Sequence, residues 1–218
     1  MSFDTIASYM PLLLQGALVT VQVTALSFVI STLLGLLLAL MTVSKVAPVA
    51  LAGRSIVNVI RGLPIIVQLF YIYFVLPEFG IDLTAFQAGV IGLGVAYSAY
   101  QAENFRAGIE AIDPGQVEAA ESLGMKSAKV MRRVVLPQAL RIALPPYGNT
   151  LVMMLKDSSL VSTITVAEMT RQGQLIAAST FDNLTVYTLV ALLYLALSLP
   201  LTFMLRRVEK RFAIGGKR

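Results

Sequence analysis

The chain has no cysteine and no histidine. The first absence excludes disulfides, thiolate metal sites and cysteine nucleophiles; the second excludes imidazole ligation and any Ser-His-Asp arrangement. Charge is also scarce: 13% of 218 residues, against 57% hydrophobic, is too little for an ordinary soluble domain. No catalytic residue and no metal site is expected. The surplus of 17 Lys and Arg over 12 Asp and Glu crowds the ends of apolar segments, as topology signals do, which argues against nucleic-acid binding. The opening MSFDTIASYMPLLL carries an acid and no base before its apolar run, so it lacks the positive n-region of a cleaved leader. The first apolar segment is expected to stay in the mature protein.

What the chain does have is apolar sequence in runs long enough for a bilayer, which needs about 20 residues. Five candidate spans stand out, at 12–41, 63–76 with an extension back through Val57, 86–107, from after Pro145-Pro146 to 164, and 184–205. Basic residues alternate sides between them. Lys45, Arg54 and Arg61 separate the first two spans, and PEFGIDL, with Glu78 and Asp82 but no base, separates the next two. Lys126, Lys129, Arg132, Arg133 and Arg141 follow the third, only Arg171 follows the fourth, and Arg206, Arg207, Lys210, Arg211, Lys217 and Arg218 follow the fifth. The N-terminus is therefore expected outside, the C-terminus in the cytoplasm, and 1–218 forms one transmembrane domain. An odd number of spans without an internal repeat argues against two fused halves and for a dimer. TVAEMTRQGQLIAAST, residues 165–180, is too polar to span and predicts a short external helix, either a connector or a docking surface.

EAAESLGMKSAKVMRRVVLPQALR, residues 118–141, is the polar exception on the cytoplasmic side. Asp113 as N-cap, Pro114 at the first helical position and Gln116 closing a capping box predict a helix start; Gly124 predicts its stop. Glu118 and Glu121 share one face, and Ala119 and Ala120 beside them let another surface approach. From Lys126 a second, amphipathic helix gathers Lys126, Lys129, Arg132 and Arg133 in one arc, with Val130, Met131, Val134 and Val135 opposite; it is expected to lie along the inner membrane surface and to end at Pro137. The plainer reading is a solvated loop that only sets topology. GMKS at 124–127 is no phosphate loop, because Met125 separates Gly124 from Lys126 and no second glycine stands at the required distance.

The segment resembles the signature loop of the membrane subunits of binding-protein-dependent ABC importers, EAA-x3-G-x9-I-x-LP, with Val134 in place of the usual Ile. RGLPIIVQLFYIYF, AYQAENFRAGIEAI and LKDSSLVSTI resemble the branch that imports polar amino acids. The resemblance implies an all-α integral membrane protein of type I ABC importer permease architecture, with five transmembrane helices in a bacterial inner membrane. It also implies a coupling helix, within a loop at about 113–137, that seats Glu118, Ala119, Ala120 and Gly124 in a groove of a separate ATPase subunit, with Leu136 and Pro137 closing the motif. ATP and Mg would be bound by that partner and no cofactor by this chain. An external substrate-binding protein and a second permease chain complete the implied importer, whose cargo is a polar amino acid.

Ionisable residues inside spans are costly and mark function by default. Lys156, Asp157 and Ser158 lie in the fourth candidate span, Glu103 and Arg106 in the third. Counting about 1.5 Å per residue, Lys156 from Pro146 and Glu103 from Asp113, predicts a similar depth for both. They either neutralise one another, Lys156 with Asp157 or Glu103 and Glu103 with Arg106, or line a cavity for a zwitterion. An ion-coupled carrier or channel using these charges as a relay is the alternative function. Gln15, Gln22 and Thr24 are expected to make interhelical hydrogen bonds, and the glycines of GVIGLG, 89–94, to permit close packing.

Overall fold

The computed structural model describes residues 3–212, and those are helical with no strand. Met1, Ser2, Lys217 and Arg218 lie outside the described residues. By length and composition α1 (Phe3–Thr42) and α9 (Asn183–Phe212) are long and apolar enough to cross a bilayer. Each of two bent pairs would add one more crossing, residues 47–79 with a 99° bend and residues 127–180 with a 51° bend.

The first bend corrects the expected second span. α2 (Ala47–Gly62) begins far upstream of it, and α3 (Ile65–Phe70) continues through a π turn and a 3-10 turn to Phe79. Arg54 and Arg61 are thus helical residues of α2, not loop residues. Pro64 causes the break: having no N–H, it cannot donate to the Ile60 carbonyl, and lipid supplies no substitute. Gln68 does so instead, its Nε2 donating to the carbonyls of Ile60 (2.9 Å) and Leu63 (3.0 Å).

α4 (Ala85–Glu110) is the centre of the bundle, opened by a Thr84 capping box. Its 26 residues reach about 39 Å; it is not among the helices apolar enough to count as a crossing by composition, and fourteen of its residues are buried against protein. α1 runs parallel to it at close range. A Cβ at Gly35 would stand 2.5 Å from Gln101 Cβ, and one at Gly94 2.7 Å from Ile30. On the other flank, a Cβ at Gly92 would meet Leu69 at 2.6 Å. The small residues of GVIGLG therefore serve packing, as expected.

The short helix α5 (Pro114–Ser122) leads to α6 (Ser127–Val130), a π turn over 131–135 and α7 (Leu136–Asp157). Pro137 does not end a helix; the wider π turn takes up its ring and missing N–H, and the chain enters α7 directly. Nor does the fourth span start after Pro145-Pro146. Both lie inside α7, and they leave the Arg141 and Ile142 carbonyls without the amide donors of a regular helix. The arc of Lys126, Lys129, Arg132 and Arg133 is exposed, as expected, but Val130 and Val135 opposite pack on Ile112, Ala120 and Ala139 of the same chain rather than on lipid.

A 3-10 turn over 158–164 leads to the expected short helix, α8 (Met169–Thr180). The Glu168 carboxylate, 0% exposed, caps it by accepting from the Arg171 and Thr170 amides at 2.7 and 2.9 Å. It also accepts from Tyr194 Oη of α9 (3.0 Å) and Thr20 Oγ1 of α1 (3.4 Å). Gln15 and Gln22 are exposed and without a hydrogen bond among the described residues, and Thr24 bonds its own helix at the Thr20 carbonyl. The interhelical bonds of α1 come from Thr20, Ser27 and Thr32 instead.

Replacing Gly35 by Val should overpack the α1–α4 contact and cost about 1–3 kcal/mol. Gly62→Ala, where a Cβ meets nothing within 4 Å, should leave the thermal midpoint of the purified protein unchanged.

Candidate functional site

Two groups of residues stand out, one along the α4–α7 seam and one around α5. Along the seam, Tyr97 Oη donates to Asp157 Oδ2 at 2.6 Å, and Asn104 Nδ2 donates to Thr150 Oγ1 at 3.0 Å. These pairs are seven residues apart on each of two antiparallel helices, which fixes the register. Glu103 lies six residues, or about 9 Å, inward of Tyr97, and the residue opposite it is Leu151 rather than Lys156. The expected meeting of Glu103 with Lys156 does not occur. The two counts misled because α4 ends at Glu110, so residues 111–113 contribute no helical rise, and because Pro146 lies inside α7 and not at its start.

Glu103 instead joins a ladder of charges. Its Oε2 accepts from Arg106 Nη2 at 2.6 Å and stands 3.8 Å from Arg61 Nη1 at the end of α2. Arg106 Nη1 reaches Glu110 at 2.5 Å, and the Arg61 guanidinium lies 5.7 Å from the Tyr100 ring centre. The Glu103–Arg106 neutralisation is as expected, and Arg61 is a further partner. Lys156 is exposed and pairs with neither Asp157 nor Glu103. Ser158, 0% exposed, donates to the Leu155 carbonyl of its own helix and presents no free hydroxyl.

The uncovered positions of α4's inner half are Tyr100, Ala107 and Glu110, with Glu103 and Arg106 partly covered. Their spacing of three and four residues makes one stripe. A polar stripe on an otherwise enclosed helix does not suit hydrocarbon; it suits a protein partner or an aqueous path. Gln101, one position from Tyr100 and 0% exposed, accepts from Asn104 but leaves its own Nε2 without a partner among the described residues.

α5 is closed by its own sequence. Asp113 Oδ1 accepts from the Gly115 amide at 2.8 Å. The expected capping box does not form, because Gln116 Oε1 accepts from Gln138 Nε2 (2.7 Å) and is turned toward α7. Gly124, at φ 77°, completes a Schellman stop: its amide donates to the Glu121 carbonyl and that of Met125 to the Ala120 carbonyl. Ala120 is buried in the chain's own cluster, which leaves Ala119 as the exposed small residue. Glu118, Gly124 and Pro137 are exposed, Leu136 is half-buried, Leu123 is 84% exposed, and Glu121 lies 4.0 Å from Lys45.

Tyr97, Asn104 and Glu168 were not singled out from the sequence. Glu168 carried a usable signal, an acid directly before a helical run; Tyr97 carried none, since its partner is sixty residues away.

Residues 31–214 match the family described as binding-protein-dependent transport system inner membrane component. The chain is 39% identical to the glutamine transport system permease protein of Escherichia coli, covering 98% of this chain and 100% of that one. It is 38% identical to the L-cystine transport system permease protein of Bacillus subtilis, covering 94% and 88%. A crystal structure of an amino acid ABC transporter with histidines superposes with a TM-score of 0.90 at 43% identity, over 97% of this chain and 99% of that one.

Glu103→Gln removes the acceptor shared by two guanidiniums, whereas Glu110→Gln removes the acceptor of one. The thermal midpoint of the purified protein should therefore fall more for Glu103→Gln, and the gap should narrow as salt is raised.

Proposed function

The chain belongs to the binding-protein-dependent transport system inner membrane components, as the permease of an ABC importer, and we propose that it carries a polar amino acid across a bacterial inner membrane in five spans. In this reading the N-terminus faces outside and the C-terminus the cytoplasm. Two permease chains, identical or related, form the path; an external binding protein delivers the cargo; and two separate ATPase subunits hold ATP and Mg. The chain itself hydrolyses nothing. The observation that carries the coupling role is α5, a nine-residue helix capped at both ends, packed through Ala120 on one side, and free on the side of Glu118, Ala119 and Leu123. A helix so closed does not need its partner in order to fold, and so can carry a rigid push.

For the cargo, the residues that support a polar path are Asp157, held by Tyr97, and the open stripe of α4 with Arg106 and Glu103. Asp157 keeps its second carboxylate oxygen for a substrate ammonium group. Lys156, exposed and unpaired, is the group of the seam that suits a substrate carboxylate. Ser158 is left with a structural part only. The relay alternative has lost its basis, since Glu103 and Lys156 are separated along the bundle and the family is the ABC one.

Uptake into proteoliposomes holding the complete complex tests this. Asp157→Asn should reduce uptake at least tenfold with assembly intact, and unchanged affinity and turnover would return Asp157 to a structural role. Gly124→Val puts a β-branched residue at positive φ, which is strained by about 1–2 kcal/mol. It should uncouple ATP hydrolysis from uptake or release the ATPase, as should Glu118→Lys; a fully coupled complex would mean that α5 is not the contact. Uptake that persists without any ATPase subunit would sink the importer mechanism.

A further inference from the structure

One groove of the molecule has no part in the path or in the ATPase contact. On the inner half of the bundle, between α1 and α7, a cavity of about 310 Å³ is walled by Leu36, Leu140 and Leu144 over a floor of Phe105 and Tyr147. Its hydroxyls satisfy each other, Thr32 Oγ1 and Tyr147 Oη at 3.0 Å, so it offers an apolar surface. Beside it lies a second cavity of about 260 Å³, which shares Leu140 and Leu144 as walls and is also lined by Pro137 and Arg141. The result is an apolar trough with a cation at its inner mouth.

Arg141 is exposed and has no acidic partner among the described residues. α9 adds to the charge. A Cβ at Gly148 would stand 3.1 Å from Leu205, so the inner ends of α7 and α9 lie side by side. Stepping inward along each antiparallel helix from that contact brings Arg206, Arg207 and Lys210 to the depth of residues 143–147. None of these three has an ion pair among the described residues; Arg207 only stacks on Phe203, 4.5 Å from the ring centre. The acid in that stretch of α9 is Glu209.

We propose that this trough is a binding site for an anionic phospholipid of the inner leaflet, with one acyl chain along Leu36, Leu140 and Leu144 and the phosphate at Arg141. Only the word inner rests on the orientation given under Proposed function; the site itself does not depend on transport. Charge decides the occupant. A second copy of the chain would bring the same surplus of cations and no matching acids, whereas an anionic headgroup above an apolar tail matches both halves of the trough.

The test is lipid retention by the intact importer complex, extracted from vesicles of equal phosphatidylglycerol and phosphatidylcholine and weighed by native mass spectrometry. Phosphatidylglycerol should be retained in preference. Arg141→Gln should lower that retention roughly fivefold. Leu36→Trp, which fills the trough from the α1 side, should lower retention of both lipids. Arg54→Gln, an exposed base of α2 away from the trough, should change nothing. Equal retention of the two lipids, an equal loss in Arg54→Gln, or undiminished retention in Leu36→Trp would each overturn the proposal. So would Leu36→Trp separating the permease chains with lipid still bound, which would give the trough to a second copy. Uptake is not measured, so a failure of the transport reading leaves this result separate.

Discussion

A bilayer core offers no hydrogen-bond partner, so every polar group that enters it must be answered from within the chain or by something the chain holds. Most features of this fold follow from that constraint. Serines and threonines turn back on their own helices, as Thr24 does on the Thr20 carbonyl and Ser158 on that of Leu155. Where Pro64 breaks a helix, Gln68 returns donors to two orphaned carbonyls. Glu168, fully enclosed, is answered by two amides and two hydroxyls from three helices. The groups left over mark what lies beyond the chain: the stripe on α4, unpaired Lys156, the Gln101 amide and the bases at the inner ends of α7 and α9.

Apolar runs were legible because the bilayer imposes their length; α1, α4 and α9 stand close to where the residues predict them. The broken elements were not. Pro64, Pro137 and Pro145-Pro146 read alike in sequence, yet the first bends the chain by 99° and the others stay within a continuous helix path. Whether the missing amide is answered does not separate them, since Gln68 supplies donors at the one proline where the chain bends. Gly124 was readable as a stop because a Schellman turn is local. The capping box at Asp113 was misread because Gln138, 22 residues on, competes for Gln116. The seam suffered most, since the meeting of Tyr97 with Asp157 depends on register and not on spacing.

The two functional groups are mechanically connected. Ala120 of α5 sits in the same cluster as Val130, Val135 and Ala139. From Ala139 the helix α7 runs without a break to Asp157. Gly108 of α4 lies on that helix too, where a Cβ would stand 2.6 Å from the Ala139 carbonyl. A displacement of α5 thus reaches α7 through packed side chains that leave little room for slack.

The paired prolines give that connection a particular elasticity. With the regular amide donors to the Arg141 and Ile142 carbonyls removed, α7 has less bending stiffness near Pro145-Pro146 than on either side. From Pro146 to Asp157 is eleven residues, so a bend of about 10° there would sweep Asp157 sideways by roughly 3 Å. That is comparable to the length of the hydrogen bond it makes with Tyr97. A bend at Pro145-Pro146 would thus be large enough at Asp157 to make or break that one polar contact.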